Sequence, residues 1–405
     1  MRIGMMADFY KPHISGVTNV ISLNKKYLEK LGHEVFVFTF STQNKDHPYT
    51  DDELNVIRSP GISMLDTGFN FNVRYSKQAR RLLQSMDLVN VHHPILSGPL
   101  AIRYCRSRGI PIVFTNHTRY DLYAQIYLPA FADVISETAL VVYLPAFCRL
   151  INLVIAPSAG MQNVLQQMGV DAEIVIVPNG VDIQPFRSPD IVQNREDFGF
   201  KPNDILLIYF GRLGPEKNLP FLLRSFRGVA QAYSQVNLLL IGGGPEQENL
   251  KEMVQEMGIE SRVRFTGIIP YELLPGYLPM ADAFVTASIS EVHPLSVIEA
   301  MASGLPVLGI QSPGVGDIVE DGITGYLVDG EDLASFTAKM VRIATDHDKR
   351  KQMGIEARKE ADQYDIERTT KRLVDCYQQV ISSNARRKRS WTMRMNRMLD
   401  RWRRS

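Results

Sequence analysis

Cysteine is scarce in this chain. The three cysteines, Cys105, Cys148 and Cys376, lie far apart and form no CxxC pair, which argues against a disulfide framework or a structural zinc site and suits a reducing compartment. Net charge is nearly absent too, since 45 Lys and Arg face 44 Asp and Glu. That balance hides an asymmetry. Residues 385–405 hold nine Arg or Lys and one Asp, a net of +8, so the total of +1 leaves −7 for the rest of the chain. No uninterrupted apolar run reaches the roughly 20 residues that a membrane-spanning helix needs. The longest apolar-rich stretch, residues 138–155, is broken by Pro145 and Arg149. The first residues, RIGMMAD, enter a strand pattern directly, so no signal peptide is expected. There is no internal repeat and no low-complexity segment. Tryptophan occurs only as Trp391 and Trp402, both inside the basic end.

What is present is a soluble globular composition, 45% hydrophobic and 22% charged, over 405 residues. A chain of that length predicts two domains. Ile3–Ala7 is a short apolar run. Beyond a polar loop and Gly16, the apolar residues Val17, Val20, Ile21, Leu28 and Leu31 fall at helical spacing, and Glu34–Phe40 alternates as a strand. Strand, glycine turn, helix, strand is a right-handed βαβ unit, in which Gly16 lets the backbone approach a ligand at the helix N-terminus. Residues 41–75 read as irregular, with a possible hairpin at Leu54–Arg58. Further strands are expected at 87–92, 111–115, 153–156 and 174–177. The turn Pro178–Asp182 marks a boundary, so residues 1–183 form one α/β domain and 184–203 a linker. Residues 204–364 form a second α/β domain, opening with Ile205–Phe210 (ILLIYF).

In open α/β sheets ligands bind at the C-terminal ends of strands, and three loops there carry chemistry. His117 follows the strand 111–115. Its neighbours upstream, His92 and His93, suggest a metal pair, but adjacent strand residues point to opposite faces and no Asp-x-Asp accompanies them. A place at a loop or cleft edge is expected instead, and no metal. Arg212 and Lys217 follow Phe210 in Gly211–Asn218. Arginine offers a planar fork and lysine a point charge, so this loop is the strongest phosphate site. The glycines Gly242–Gly244 suit close approach to a nucleoside, though glycine runs are common at turns.

The stretch Ser290–Gly304, SEVHPLSVIEAMASG, organises the second half. Pro294 is expected at the first helical position, where its missing N–H costs nothing, and Gly304 at the helix end. Glu291 then lies in the preceding loop and Glu299 over one turn inside the helix. The amides of Leu295 and Ser296 occupy the positive end of the helix dipole, which favours anions. Read from residues alone, the two glutamates are equally well a loop charge and a solvated helix residue.

This stretch resembles the E-x7-E motif of retaining family 4 glycosyltransferases. The other landmarks of that family follow in order over residues 1–380: Ser15-Gly16, the string NHTRYDLYAQIY around His117, and GR-x4-K at Gly211–Lys217. The resemblance implies a GT-B fold, two facing doubly wound Rossmann-like domains with a cleft between them. It implies that Arg212 and Lys217 grip the donor diphosphate beside Gly16, Leu295 and Ser296, and that Glu291 contacts the donor sugar. Glu299 would hold the ribose, Gly243 and Ile269 would lie at the base, and His117 would touch the sugar from across the cleft. A metal cofactor is not required. The form of the His117 segment and of Ser15-Gly16 is similar to the diacylglycerol glucosyltransferase subset.

The C-terminal region is expected to comprise a helix over 365–384, running back across the first domain, and a basic amphipathic tail at 385–405. Trp391, Met395, Met398 and Trp402 are spaced as one helical face, with Arg394 and Arg397 among the surrounding cations. Such a helix suits an anionic bilayer, although a basic end that binds nucleic acid nonspecifically has the same composition. The aromatic stretch Tyr120–Phe131 reads as a buried helix edge or as an amphipathic surface near the acceptor. The expected activity is transfer of a hexose, glucose foremost, from a nucleotide-diphosphate sugar to a membrane lipid such as diacylglycerol, with an α-glycoside as product. The enzyme would sit on the inner face of the cell membrane. Hexosyl transfer to phosphatidylinositol, a polyprenol or a polysaccharide precursor is the alternative, and a non-catalytic sugar-nucleotide sensor is the alternative of another class.

Overall fold

The computed structural model describes residues 1–13, 15–41, 53–63, 70–71, 74–120, 122 and 137–402, with the backbone alone for 62–63, 70–71, 137–141 and 387–402. Seven strands form the first sheet: β1 (Arg2–Met6), β2 (Glu34–Ser41), β3 (Val56–Pro60), β4 (Leu88–Val91), β5 (Ile112–Thr115), β6 (Leu153–Ala156) and β7 (Ile174–Ile176), in the order β3-β2-β1-β4-β5-β6-β7. Six form the second: β8 (Ile205–Phe210), β9 (Val236–Ile241), β10 (Val263–Gly267), β11 (Ala283–Val285), β12 (Val307–Ile310) and β13 (Gly325–Val328), in the order β10-β9-β8-β11-β12-β13. Every pairing within them is parallel. Runs such as ILLIYF and VNLLLI are buried almost throughout, as parallel strands covered by helices on both faces must be. The strand order reverses between β1 and β4 and again between β8 and β11. Those two switch points are where ligands enter folds of this kind.

Two expectations are corrected. Leu54–Arg58 is not a hairpin: Val56–Pro60 is β3, an edge strand parallel to β2 with Val37 beside Val56. Its short, polar sequence hid a strand that needs only one neighbour. Pro294 precedes the helix Leu295–Ala302 instead of opening it, with φ −72° and ψ 121° in the extended region. The chain's one Asp-x-Asp spelling, Asp346-His347-Asp348, is structural at its first residue, since Asp346 caps the helix His347–Glu360 by accepting from the Lys349 amide at 3.0 Å.

Residues 184–203 lie against the second sheet's helices, with the Gln193 amide donating to Gly276 O at 2.9 Å. From Ile366 a single helix runs to Trp402, so the crossover segment and the tail are one continuous helical backbone. Leu373, Cys376 and Tyr377 pack under β1 and β2 with Ile3, Met5 and Val35. The Asn90 amide donates to the Tyr377 hydroxyl at 2.7 Å, and Asn384 donates to Gly109 O at 2.8 Å. Among the described residues no helix is long and apolar enough to cross a membrane. Most of the aromatic stretch after Tyr120 lies outside the described residues.

Candidate active site

The ends of β8 and β11 bring the cations and the first glutamate together. Beyond Phe210 the chain turns through Gly211–Asn218, and Lys217 Nζ reaches Glu291 Oε1 at 2.5 Å across 74 residues of sequence. Burial works against the Lys217 charge, and Glu291 beside it more than offsets that, so its pKa is raised. Arg212 lies 3.5 Å from Glu216, and its carbonyl accepts from the buried Tyr209 hydroxyl at 3.0 Å. The hydroxyls of Ser288 and Ser290 both donate to Glu216 O, at 3.1 and 3.2 Å, which ties the two loops edge to edge.

No side chain caps the helix Leu295–Ala302, so the amides of Leu295 and Ser296 open it without a partner side chain of their own. Glu299, one turn on, is buried, and its Oε1 accepts from the Tyr271 hydroxyl at 2.6 Å. Burial lifts the Glu299 carboxyl to about 7 despite that bond. Burial and the carboxylate together raise Tyr271 far above the usual phenol range. Glu299 is therefore not a solvated helix residue.

The neighbouring glycines divide in role. A Cβ on Gly242, whose φ is +131°, would stand 1.9 Å from Gly211 O, so that position is required for the β8 and β9 loops to touch. Gly243 O accepts from the Leu213 amide at 2.9 Å, and a Cβ there would stand 2.7 Å from Cγ1 of the exposed Ile268 and 3.5 Å from Gln247 Oε1, both side chains. Ile269 is partly buried against the core under β8 and β11.

The first unit faces this group with the ends of β1, β4 and β5. Gly16 begins the helix Gly16–Lys30, capped by Ser15 and Thr18. A Cβ on Gly16 would meet nothing within 4 Å, so protein packing does not demand glycine there. His13, just before, is held below its usual pKa first by burial and then by the charge of Arg212, which places the two across the cleft from each other. His117 Nε2 lies 2.8 Å from His92 Nδ1 with the rings stacked at 16°. His93 Nδ1 accepts from the Asp8 amide at 3.2 Å. Burial lowers His93 to about 3 and His117 to about 4, so both rings are neutral near pH 7. The Asp8 carboxylate accepts from Ser97 Oγ at 2.6 Å and from the amides of Ser97 and Leu96. Burial still raises it to about 6.

The two units are clamped at the Glu291 loop. Ser158 Oγ donates to Val292 O at 3.0 Å, Asn179 Nδ2 to His293 O at 3.0 Å, and the Gly160 amide to Asp317 Oδ2 at 2.6 Å. The Gly314 amide donates to Glu291 O at 3.1 Å, which holds the same loop from the other side.

Residues 14–185 match the family described as Glycosyltransferase Family 4, and residues 190–360 match Glycosyl transferases group 1. An alpha-monoglucosyldiacylglycerol synthase of Streptococcus pneumoniae is 31% identical over 348 residues, which is 82% of this chain and 77% of that protein. The chain belongs to the family 4 glycosyltransferases. A synthase of the same name from Acholeplasma laidlawii is 28% identical over 80% of the chain and 84% of its own length. The Anabaena HepE structure in complex with UDP-glucose superposes with a TM-score of 0.73 at 22% identity, covering 94% of this chain and all of that one. It shares the GT-B fold of two facing Rossmann-like units.

In this glycosyltransferase Arg212, Lys217, Glu291, Leu295, Ser296 and Glu299 lie around the second switch point, and Gly16 and His117 stand at the first. Tyr271, Glu216 and Asp8 carry no role in the sequence reading, and His92 is expected there only at a loop or cleft edge. Tyr271 lies only two residues from Ile269, and that proximity is the one local signal for it. The side chains of Trp391, Arg394, Met395, Arg397, Met398 and Trp402 lie outside the described residues, although their backbone is helical.

Proposed function

We propose that this glycosyltransferase moves glucose from UDP-glucose to the free hydroxyl of diacylglycerol, with retention of the α configuration, on the cytoplasmic face of a membrane. The observation that carries the donor half is the Lys217–Glu291 pair beside the uncapped helix Leu295–Ala302, with Glu299 one turn further in. The names of the synthases from S. pneumoniae and A. laidlawii support the acceptor half, and the basic end supports the membrane.

In this reading the acceptor oxygen bonds to the anomeric carbon as the bond from that carbon to the diphosphate oxygen breaks. Negative charge grows on the leaving diphosphate, where Arg212, Lys217 and the amides of Leu295 and Ser296 stabilise it. The acceptor's proton passes to the leaving phosphate on the same face. Glu291 orients the sugar hydroxyls, and Lys217 is shared between that carboxylate and the phosphate. Glu299 releases Tyr271 and accepts the ribose hydroxyls. Gly243 and the backbone near Ile269 lie at the base. The reading assigns no cofactor and no metal. Purified protein supplied with labelled UDP-glucose and anionic liposomes containing diacylglycerol is expected to form glucosyldiacylglycerol. A product only on a soluble sugar, or only on an inositol lipid, would overturn the acceptor assignment.

Glu299 makes the donor step pH-dependent. Its pKa in the empty protein is raised from 4.5 to about 7, so the folded protein holds that proton up to about pH 7, and the stability this contributes is full below about pH 4.5 and is lost as pH rises from there to about 7. Only the carboxylate accepts from two ribose hydroxyls at once. The KM for UDP-glucose is therefore expected to rise as pH falls through about 7. In Glu299→Gln it should be high and flat, and in Tyr271→Phe the midpoint should move upward, because the hydroxyl that favours the charged form is gone. A wild-type KM independent of pH from 6 to 8 would refute the ribose role.

Gly16→Ala separates ligand approach from packing. The added methyl meets no atom within 4 Å among the described residues, so the melting temperature should hold while kcat/KM drops by about tenfold or more through contact with the donor phosphates. Unchanged turnover would remove Gly16 from the site.

A further inference from the structure

We propose that His92 is a positioning residue that holds His117 as a neutral imidazole with its proton on Nδ1, so that His117 meets the donor sugar as a hydrogen-bond donor and not as a base. The inference about the sugar rests on the function proposed above. The tautomer does not.

The two rings come from neighbouring strands. β4 and β5 run parallel with Val91 beside Phe114, so His92 and His117 both emerge at the C-terminal edge of the sheet. The His92 amide still donates to Met6 O at 2.9 Å, which extends the β1 ladder by one residue and fixes the backbone below its ring. The His92 side chain is 1% exposed. Its Nδ1 lies 2.8 Å from His117 Nε2, a distance that requires one proton between the two nitrogens. Burial, with His117 and His93 as neighbours, keeps His92 from taking a second proton.

Two arrangements satisfy that bond. In one, His117 donates from Nε2, and His92 carries its own proton on Nε2. That nitrogen is buried and has no hydrogen-bond partner among the described residues, so an N–H there would be stranded inside the protein. In the other, His92 donates from Nδ1, and its buried Nε2 is a bare lone pair. Stranded buried donors are rarer than stranded acceptors, which selects the second arrangement. His117 then accepts at Nε2 and has its proton on Nδ1. With its one free lone pair engaged by His92, His117 has no basic site to offer a substrate hydroxyl, and what it presents is an N–H suited to a sugar oxygen. His92 touches no substrate in this account and acts through His117 alone.

The experiment is nitrogen NMR of histidine-labelled full-length protein, with the His117 ring assigned by its loss in His117→Gln. The expected spectrum has a protonated Nδ1 and a bare Nε2 on His117 near pH 7.5. His92→Leu removes the donor, so His117 should change tautomer or exchange between the two, and kcat should fall by about tenfold with a smaller change in KM. His92→Asn places an amide N–H close to where Nδ1 stood, so it should restore the Nδ1–H form and most of the lost kcat. His92→Gln, which reaches past that point, should not. A wild-type His117 protonated at Nε2 overturns the proposal. So does a His92→Leu variant that turns over as fast as wild type, or one whose loss is not recovered by asparagine while the fold is intact. If the tautomer is as expected but His117→Gln transfers sugar normally, the sugar contact fails and the assignment of a catalytic positioning role to His92 falls with it, while the fold and the donor site on the other unit stand.

Discussion

Lys217→Ala is expected to lower kcat/KM for transfer by about 10²–10³-fold, most of it in kcat. Among the described residues Lys217 is in direct contact with Glu291, at 2.5 Å, and in the proposed function it stands where the leaving diphosphate gathers charge. Substrate binding draws on the helix amides and Arg212 as well, so KM should move less than kcat. The pair is partly exposed, with side-chain accessibilities of 22% and 17%, and removing it should cost only about 1 kcal/mol of stability. Lys217→Arg tests whether charge or shape matters. The loop Gly211–Asn218 places a point charge beside one carboxylate oxygen, and a planar fork would have to break that contact, so arginine should recover only part of the rate. Single-turnover kinetics with UDP-glucose would separate the steps. A Lys217→Ala enzyme with normal kcat and a raised KM would make Lys217 a ground-state anchor and would remove the leaving-group role.

Ending the chain after Asn384 is expected to abolish binding to anionic vesicles while leaving the donor site intact. The cut falls where the long helix makes a described contact with the first unit, Asn384 to Gly109 O at 2.8 Å. Leu373, Cys376 and Tyr377 remain in the core. What is lost is a segment with nine Arg or Lys and both tryptophans. A basic residue near an anionic surface contributes about 1 kcal/mol. If about four of the nine engage at once, vesicle affinity should fall by roughly 10³-fold. Sedimentation with phosphatidylglycerol vesicles, repeated in raised salt and with neutral lipid, reads this directly. UDP-glucose hydrolysis in solution should be unchanged. Equal sedimentation of the cut and full-length proteins would place membrane attachment elsewhere. Loss of hydrolysis as well would mean that the end of the helix supports the fold.

The proposed lipid acceptor and the Lys217 chemistry are separable. A protein that hydrolyses UDP-glucose through Lys217 but glycosylates no lipid keeps its donor site and needs another acceptor.

Local spacing was enough for much of this protein. Apolar runs of parallel-strand length alternating with helical periods predict two α/β units, and eight residues from Glu291 to Glu299 put one carboxylate before a helix and the other inside it. The basic end and its tryptophans are likewise a matter of composition. These features were legible because they depend on contacts within one element or on the turn that ends it. The edge strand Val56–Pro60 does not show in the sequence because five residues, VIRSP, have too little periodicity to stand out from the loop around them.

Tertiary structure decided the rest. Whether Glu299 is a solvated helix residue or a buried acid near pH 7 depends on Tyr271, brought over it from a loop 28 residues earlier. The Lys217–Glu291 pair depends on β8 and β11 being neighbours. The His92–His117 bond depends on the register of β4 against β5. The clamp of Ser158 and Asn179 on the Glu291 loop, and of Gly160 on Asp317, depends on how the two units face each other. Each joins residues far apart in sequence, and their energies come from burial and from distances of about 3 Å that only strand order, register and domain docking can set.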